Sequence, residues 1–102
     1  MDSPVTVASI KEIPVGQSKI VQVSGRIIAV FHSPEGWFAV DDRCPHRGGP
    51  LSEGKLEKGN VACPWHGAQF NLKSGHCLSN PKLSSITTYQ IILSGENVQI
   101  RW

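Results

Sequence analysis

At 102 residues the chain is one domain's worth of polypeptide, and a single domain spanning 1–102 is expected. Its 39% hydrophobic and 18% charged residues are ordinary for a soluble globular protein and exclude disorder as the default. Ten basic residues against eight acidic give a net charge of +2 with both signs scattered, which excludes the clustered basic face of a nucleic-acid binder.

The start, Met1-Asp2-Ser3-Pro4, lacks the basic residues and apolar run of a signal peptide. No stretch approaches the roughly 18 apolar residues of a membrane helix. A cytoplasmic protein with no membrane partner is expected. Val5 and Val7, then Ile20 to Val23, then Arg26 to Phe31 are β-branched runs of strand length. Ser24-Gly25 and Ser33-Pro34-Glu35-Gly36 separate them as turns, and Trp37 to Val40 completes a meander. Ser9 to Ile13 has room for one helical turn. Near the other end, Ile86 to Leu93 and Val98 to Trp102 read as strands around a Gly95-Glu96-Asn97 turn. No apolar stripe of helical period persists for three turns. The fold class is all-β.

Residues 41–82 differ from both ends. They hold six of the ten glycines, four of the seven prolines, three of the four histidines and all three cysteines. Such a segment between strand-rich ends predicts a sheet scaffold presenting loops that carry chemistry. Three cysteines without a secretory signal argue against a disulfide framework and for metal or redox chemistry.

Two loops each contain Cys-Pro followed closely by His: Cys44-Pro45-His46-Arg47-Gly48-Gly49-Pro50-Leu51 and Cys63-Pro64-Trp65-His66-Gly67. The pattern is C-x-H, sixteen residues, then C-x-x-H. Two thiolates and two imidazoles suit zinc or an iron–sulfur cluster. A single tetrahedral zinc takes paired ligands two to four residues apart, and C-x-H is tight for that. The tighter spacing suits two side chains directed at two neighbouring metals. A binuclear [2Fe–2S] centre asks for one Cys and one His from each loop. Gly48, Gly49 and Gly67 let the backbone come close to such a centre, and Pro45, Pro50 and Pro64 stiffen the loops.

With these residues the chain resembles the Rieske-type [2Fe–2S] proteins, specifically the low-potential soluble ferredoxins. Cys-Pro-His-Arg-Gly-Gly-Pro-Leu-Ser-Glu-Gly is similar to their first cluster loop. Cys-Pro-Trp-His-Gly-Ala-Gln-Phe-Asn-Leu-Lys-Ser-Gly is similar to their second loop and the strands after it. The resemblance implies a layered antiparallel β-sandwich with a loop-rich cluster-binding subdomain inserted at about 41–82. It implies one [2Fe–2S] cluster, with Cys44 and Cys63 on one iron and His46 and His66 on the other. High-potential relatives have an extra cysteine in each loop and hydroxyls near the sulfurs. Here Gly49, Trp65, Ala68 and Phe70 stand at those positions, which implies a lower potential.

Outside the ligand set, Cys77 reads as a partly buried thiol with no ligand role, and His76 and His32 as surface histidines. Trp65 is expected to shield the cluster. Arg43 and Arg47 read as solvated charges or docking contacts. No phosphate-binding glycine loop and no nucleophile–base pair appears, so the chain is expected to be an electron-transfer component and no enzyme. Its implied role is to pass single electrons from a flavin-dependent reductase to a terminal oxidoreductase, such as a ring-hydroxylating dioxygenase. The resemblance extends equally to the small subunit of an assimilatory nitrite reductase, whose large subunit would then be the acceptor. Two other readings stay open: a zinc-stabilised structural module, and a cluster-bearing redox sensor.

Overall fold

The β-branched runs pair into an antiparallel scaffold in the computed structural model, which describes residues 4–45, 48–65, 67–79 and 84–101. The strands expected near the start are β1 (Val5–Ser9), β2 (Gln17–Val23), β3 (Arg26–Ser33) and β4 (Gly36–Asp41), but only β2–β3–β4 form the expected meander, because β1 pairs with the last strand at the far edge of the sheet. Three short strands follow, β5 (Lys55–Glu57), β6 (Asn60–Ala62) and β7 (Gln69–Asn71), then β8 (Thr88–Ser94) and β9 (Asn97–Arg101). The larger sheet has the order β1-β9-β8-β4-β3-β2, and the smaller β5-β6-β7. Every pairing is antiparallel. Only two residue pairs, Ala39–Tyr89 and Val40–Thr88, join β4 to β8. The large sheet is therefore two three-stranded leaves hinged at a short seam.

β3 explains the layering. Ile28 and Val30 point into a core shared by both leaves, with Val21, Ala39, Tyr89, Val98 and Ile100. Ala29 and Phe31 point the other way, into a second core with Val40 of β4 and with Leu51, Val61, Phe70 and Leu72 from the insert. A strand covered on both faces reads as a continuous apolar run, as Ile27 to Phe31 does. The layers are thus one leaf, the β2–β3–β4 leaf, and the inserted small sheet.

Two details depart from the sequence reading. The strand expected from Ile86 begins at Thr88. Ile86 is buried in the second core instead, and its N–H donates to the Gly75 carbonyl at 2.8 Å. The inserted segment also carries a sheet of its own. Its strands are three residues each, too short to show a period-two pattern in sequence. The one helical turn near the start is present as a 3₁₀ turn, Ile10–Glu12. There the Ser9 N–H donates to Glu12 Oε1 at 2.9 Å, and Lys19 of β2 reaches Glu12 Oε2 at 2.7 Å. Lys19 Nζ also lies 3.5 Å from the Val7 carbonyl, so one lysine links the two edges of the large sheet.

A polar knot closes the seam. The Tyr89 hydroxyl donates to Asp41 Oδ1 and accepts from Arg26 Nη1 at 3.2 Å. Burial, then the bond to Asp41, raises the Tyr89 pKa above its ordinary value. A raised folded-state pKa means the folded protein holds this proton more tightly than the unfolded chain. Its stabilising contribution is full below pH ~10 and is lost as pH rises through the folded value. Tyr89 is the chain's single tyrosine, so near-ultraviolet absorbance titration reports it alone. The expected midpoint lies above ~10 in the folded protein and returns to ~10 in denaturant. Equal midpoints in the two states would show a solvated phenol.

Candidate metal centre

Both cysteine loops are built on one frame, C-P-x-x-G, at Cys44–Gly48 and Cys63–Gly67. In the first, the Gly48 N–H donates to the Cys44 carbonyl at 2.8 Å, and the Cys44 N–H donates to the Gly49 carbonyl at 2.9 Å. In the second, the Gly67 N–H donates to the Cys63 carbonyl at 2.9 Å, and the Cys63 N–H donates to the Ala68 carbonyl at 2.7 Å. Gly48 and Gly67 take φ of 75° and 77°, a left-handed conformation open to glycine at little cost. The shared frame makes sense of the unequal histidine spacing. The same turn carries its histidine at the third position in one loop and the fourth in the other.

The frame sets each cysteine at the inner end of its loop. Cys44 and Cys63 are 0% and 2% exposed and belong to the same core, with Val40, Leu51, Val61, Ala68 and Phe70. The loops touch at Gly49, where a Cβ would lie 3.0 Å from Cys63 Sγ and 3.1 Å from two atoms of the Trp65 indole. A side chain at Gly49 would crowd a sulfur and an aromatic ring of the other loop, which would have to give by a few tenths of an ångström. The corresponding position of the second loop, Ala68, keeps a buried methyl.

Of the four predicted ligands, Cys44 and Cys63 are brought into one core. His46 and His66 lie outside the described residues, as does Arg47. Among the described residues no group of three or more His, Cys, Asp or Glu side chains gathers to hold a metal ion. The three cysteines form no disulfide. Two thiols in one apolar core, at the ends of loops in mutual contact, fit a group held through sulfur. A thiolate is tolerated at such depth when a metal takes its charge.

The remaining candidates sort by burial. Cys77 is 5% exposed and pairs through its backbone with Phe70, in keeping with a buried thiol. His76 is exposed. His32 is no surface residue: it is half-buried, stacked on Trp37 at 3.9 Å, and its Nδ1 donates to the Ile13 carbonyl at 2.7 Å. The strand pairing of His32 with Trp37 was the signal available in sequence, since the turn between them sets that register. Trp65 covers Gly49 with one part of its ring and remains 64% exposed. Arg43 is exposed, with its guanidinium against Gly48.

Residues 3–90 match the family model of the Rieske [2Fe-2S] domain. The chain is 37% identical over 99 residues to a 3-phenylpropionate/cinnamic acid dioxygenase ferredoxin subunit of Photorhabdus laumondii, covering 96% of this chain and 93% of that one. It is 38% identical over 97 residues to apoptosis-inducing factor 3 of Mus musculus, of which it spans only 16%. A solved complex of reduced oxygenase and oxidized ferredoxin in carbazole 1,9a-dioxygenase contains a chain with TM-score 0.86 and 26% identity, covering 95% of this chain and 100% of that one.

The Gly49 contact makes a test of how the loops fit. Gly49→Ala should cost about 1–3 kcal/mol of unfolding free energy through overpacking, and should move the tryptophan emission. Denaturant unfolding followed by fluorescence measures both. An unchanged emission and midpoint would show that the loops do not touch there.

Proposed function

The chain belongs to the Rieske [2Fe-2S] domain family, and we propose that it is the one-electron carrier of a multicomponent oxidoreductase. The family's cofactor, one [2Fe–2S] cluster, supplies reversible one-electron chemistry when bound. The protein itself makes and breaks no substrate bond. The observation that carries this reading is the matched pair of C-P-x-x-G loops, each delivering a buried cysteine to one core. On this reading Cys44 and Cys63 would hold one iron through thiolate sulfur, and His46 and His66 would hold the other through imidazole nitrogen.

The residues around the cysteines do three things. The backbone bonds that close each loop hold its geometry before and after an electron arrives, which supports rapid transfer. The apolar neighbours Val40, Leu51 and Phe70 keep water from the sulfurs. Ala68 and Phe70 offer no hydroxyl to the sulfurs, so the added electron finds fewer hydrogen bonds to stabilise it. A potential in the lower part of the range known for Rieske centres, about −150 to +300 mV, follows.

The similarity to a dioxygenase ferredoxin subunit supports a terminal oxygenase as acceptor; on this proposal a flavin-dependent reductase is the donor and the cytoplasm the setting. The direct test uses the purified holoprotein. Reductase should bleach it, and terminal oxygenase should restore its colour while turning over substrate that this protein alone leaves untouched. Rapid reoxidation only by a nitrite reductase large subunit would favour the other acceptor. A colourless, zinc-containing protein would end the reading.

Two variants test the ligand set. Cys63→Ser should abolish the visible spectrum and the two irons and two sulfides, because cluster binding supplies folding energy to a small domain. Cys77→Ser should leave both unchanged. Iron and sulfide analysis decides; a Cys63→Ser protein with a full complement would overturn the assignment. Film voltammetry should place the wild type near about −150 mV, and a value above about +100 mV would contradict the missing hydroxyls.

A further inference from the structure

The strongest uncompensated feature beside the cysteine loops is a charge. A Cβ at Gly48 would lie 3.4 Å from Arg43 Nε and 3.7 Å from Nη2, so the guanidinium rests against the first loop. Gly48 in turn donates its N–H to the carbonyl of Cys44. The carboxylates nearest in sequence are already engaged. Asp41 accepts the Tyr89 hydroxyl, and buried Asp42 accepts the Ser52 N–H. Among the described residues, no hydrogen bond or ion pair engages the Arg43 guanidinium. It stands exposed between two grooves of ≈ 530 and ≈ 230 Å³, both of which it lines.

We infer that Arg43 is a potential-setting residue: its fixed positive charge favours the reduced state of the centre held by the neighbouring loop. This rests on the electron-carrier reading. Reduction adds one electron, from an electrode or a reductase, and converts one ferric ion to ferrous. No bond forms or breaks, and the site becomes one unit more negative. A cation alongside lowers the energy of that added charge. Exposure keeps the effect modest, because water and salt screen it.

The distinguishing property is charge without hydrogen bonding. Packing against Gly48 could also matter sterically, and the conservative substitution separates the two. Lysine keeps the charge and loses the planar guanidinium; glutamine keeps a planar polar group and loses the charge.

The experiment is film voltammetry on holoprotein of the wild type, Arg43→Gln and Arg43→Lys, at low and at high ionic strength. Arg43→Gln should weaken reduction about threefold at low salt, about 28 mV at 59 mV per tenfold change. Arg43→Lys should retain most of the wild-type value. The gap between wild type and Arg43→Gln should close toward 1 M salt, where the screening length is about 3 Å. Equal potentials at low salt overturn the inference. A shift shared in full by Arg43→Lys, or one that persists at high salt, also overturns it, since packing would then be the cause. Failure of the electron-carrier reading looks different: all three proteins would lack iron and sulfide.

Discussion

β3 is covered on both faces, and the other layers are arranged around that constraint. Ile28, Ala29, Val30 and Phe31 are all inaccessible to solvent, in alternation toward two different cores. Fully burying a side chain of valine, isoleucine or phenylalanine size stabilises a fold by about 1.5–3 kcal/mol. One strand thereby holds together the leaf-on-leaf sandwich and the insert. The cysteine loops inherit their position from the second of these cores. Cys44 and Cys63 sit among the same residues that Ala29 and Phe31 pack against.

The insert uses little regular structure to achieve this. Its strands are three residues long, and most of its order comes from turns whose backbone groups pair internally. Repeating one loop frame twice gives two cysteines in equivalent settings from separate parts of the chain. The equivalence stops where the loops meet. Gly49 faces the Cys63 sulfur and the Trp65 ring, whereas Ala68 faces ordinary core. A pseudo-symmetric pair of loops closing on one centre must differ wherever one loop's space is taken by the other.

Charge is distributed to match. Asp41, Asp42, Glu12 and Lys19 are tied to partners that join strands or turns. Lys19 holds the Glu12 carboxyl below its ordinary pKa, chiefly by a side-chain hydrogen bond. Arg43, beside the first cysteine loop, has no such structural engagement among the described residues. A cation left uncommitted next to a redox centre can act on that centre's charge, which a cation locked in an ion pair does far less.

Much of this was determined by sequence alone. β-branched runs and turn residues act over a few positions, so β1, β3, β4 and β9 are legible within a residue or two, while β2 begins three residues before its apolar run. The cysteines and histidines proposed as ligands and the C-P-x-x-G frame are local as well, and they carry the family resemblance. Tertiary structure decided what lies between residues distant in the chain. It half-buried His32, stacked on Trp37 and bonded to the Ile13 carbonyl, and it drew Ile86 off the end of a strand into the second core. It also crowded Gly49 with a ring and a sulfur at least fourteen positions away, and laid Arg43 on Gly48. Backbone propensity is written in neighbouring residues, whereas close contact depends on how separately formed layers pack, and only the folded chain brings those atoms together.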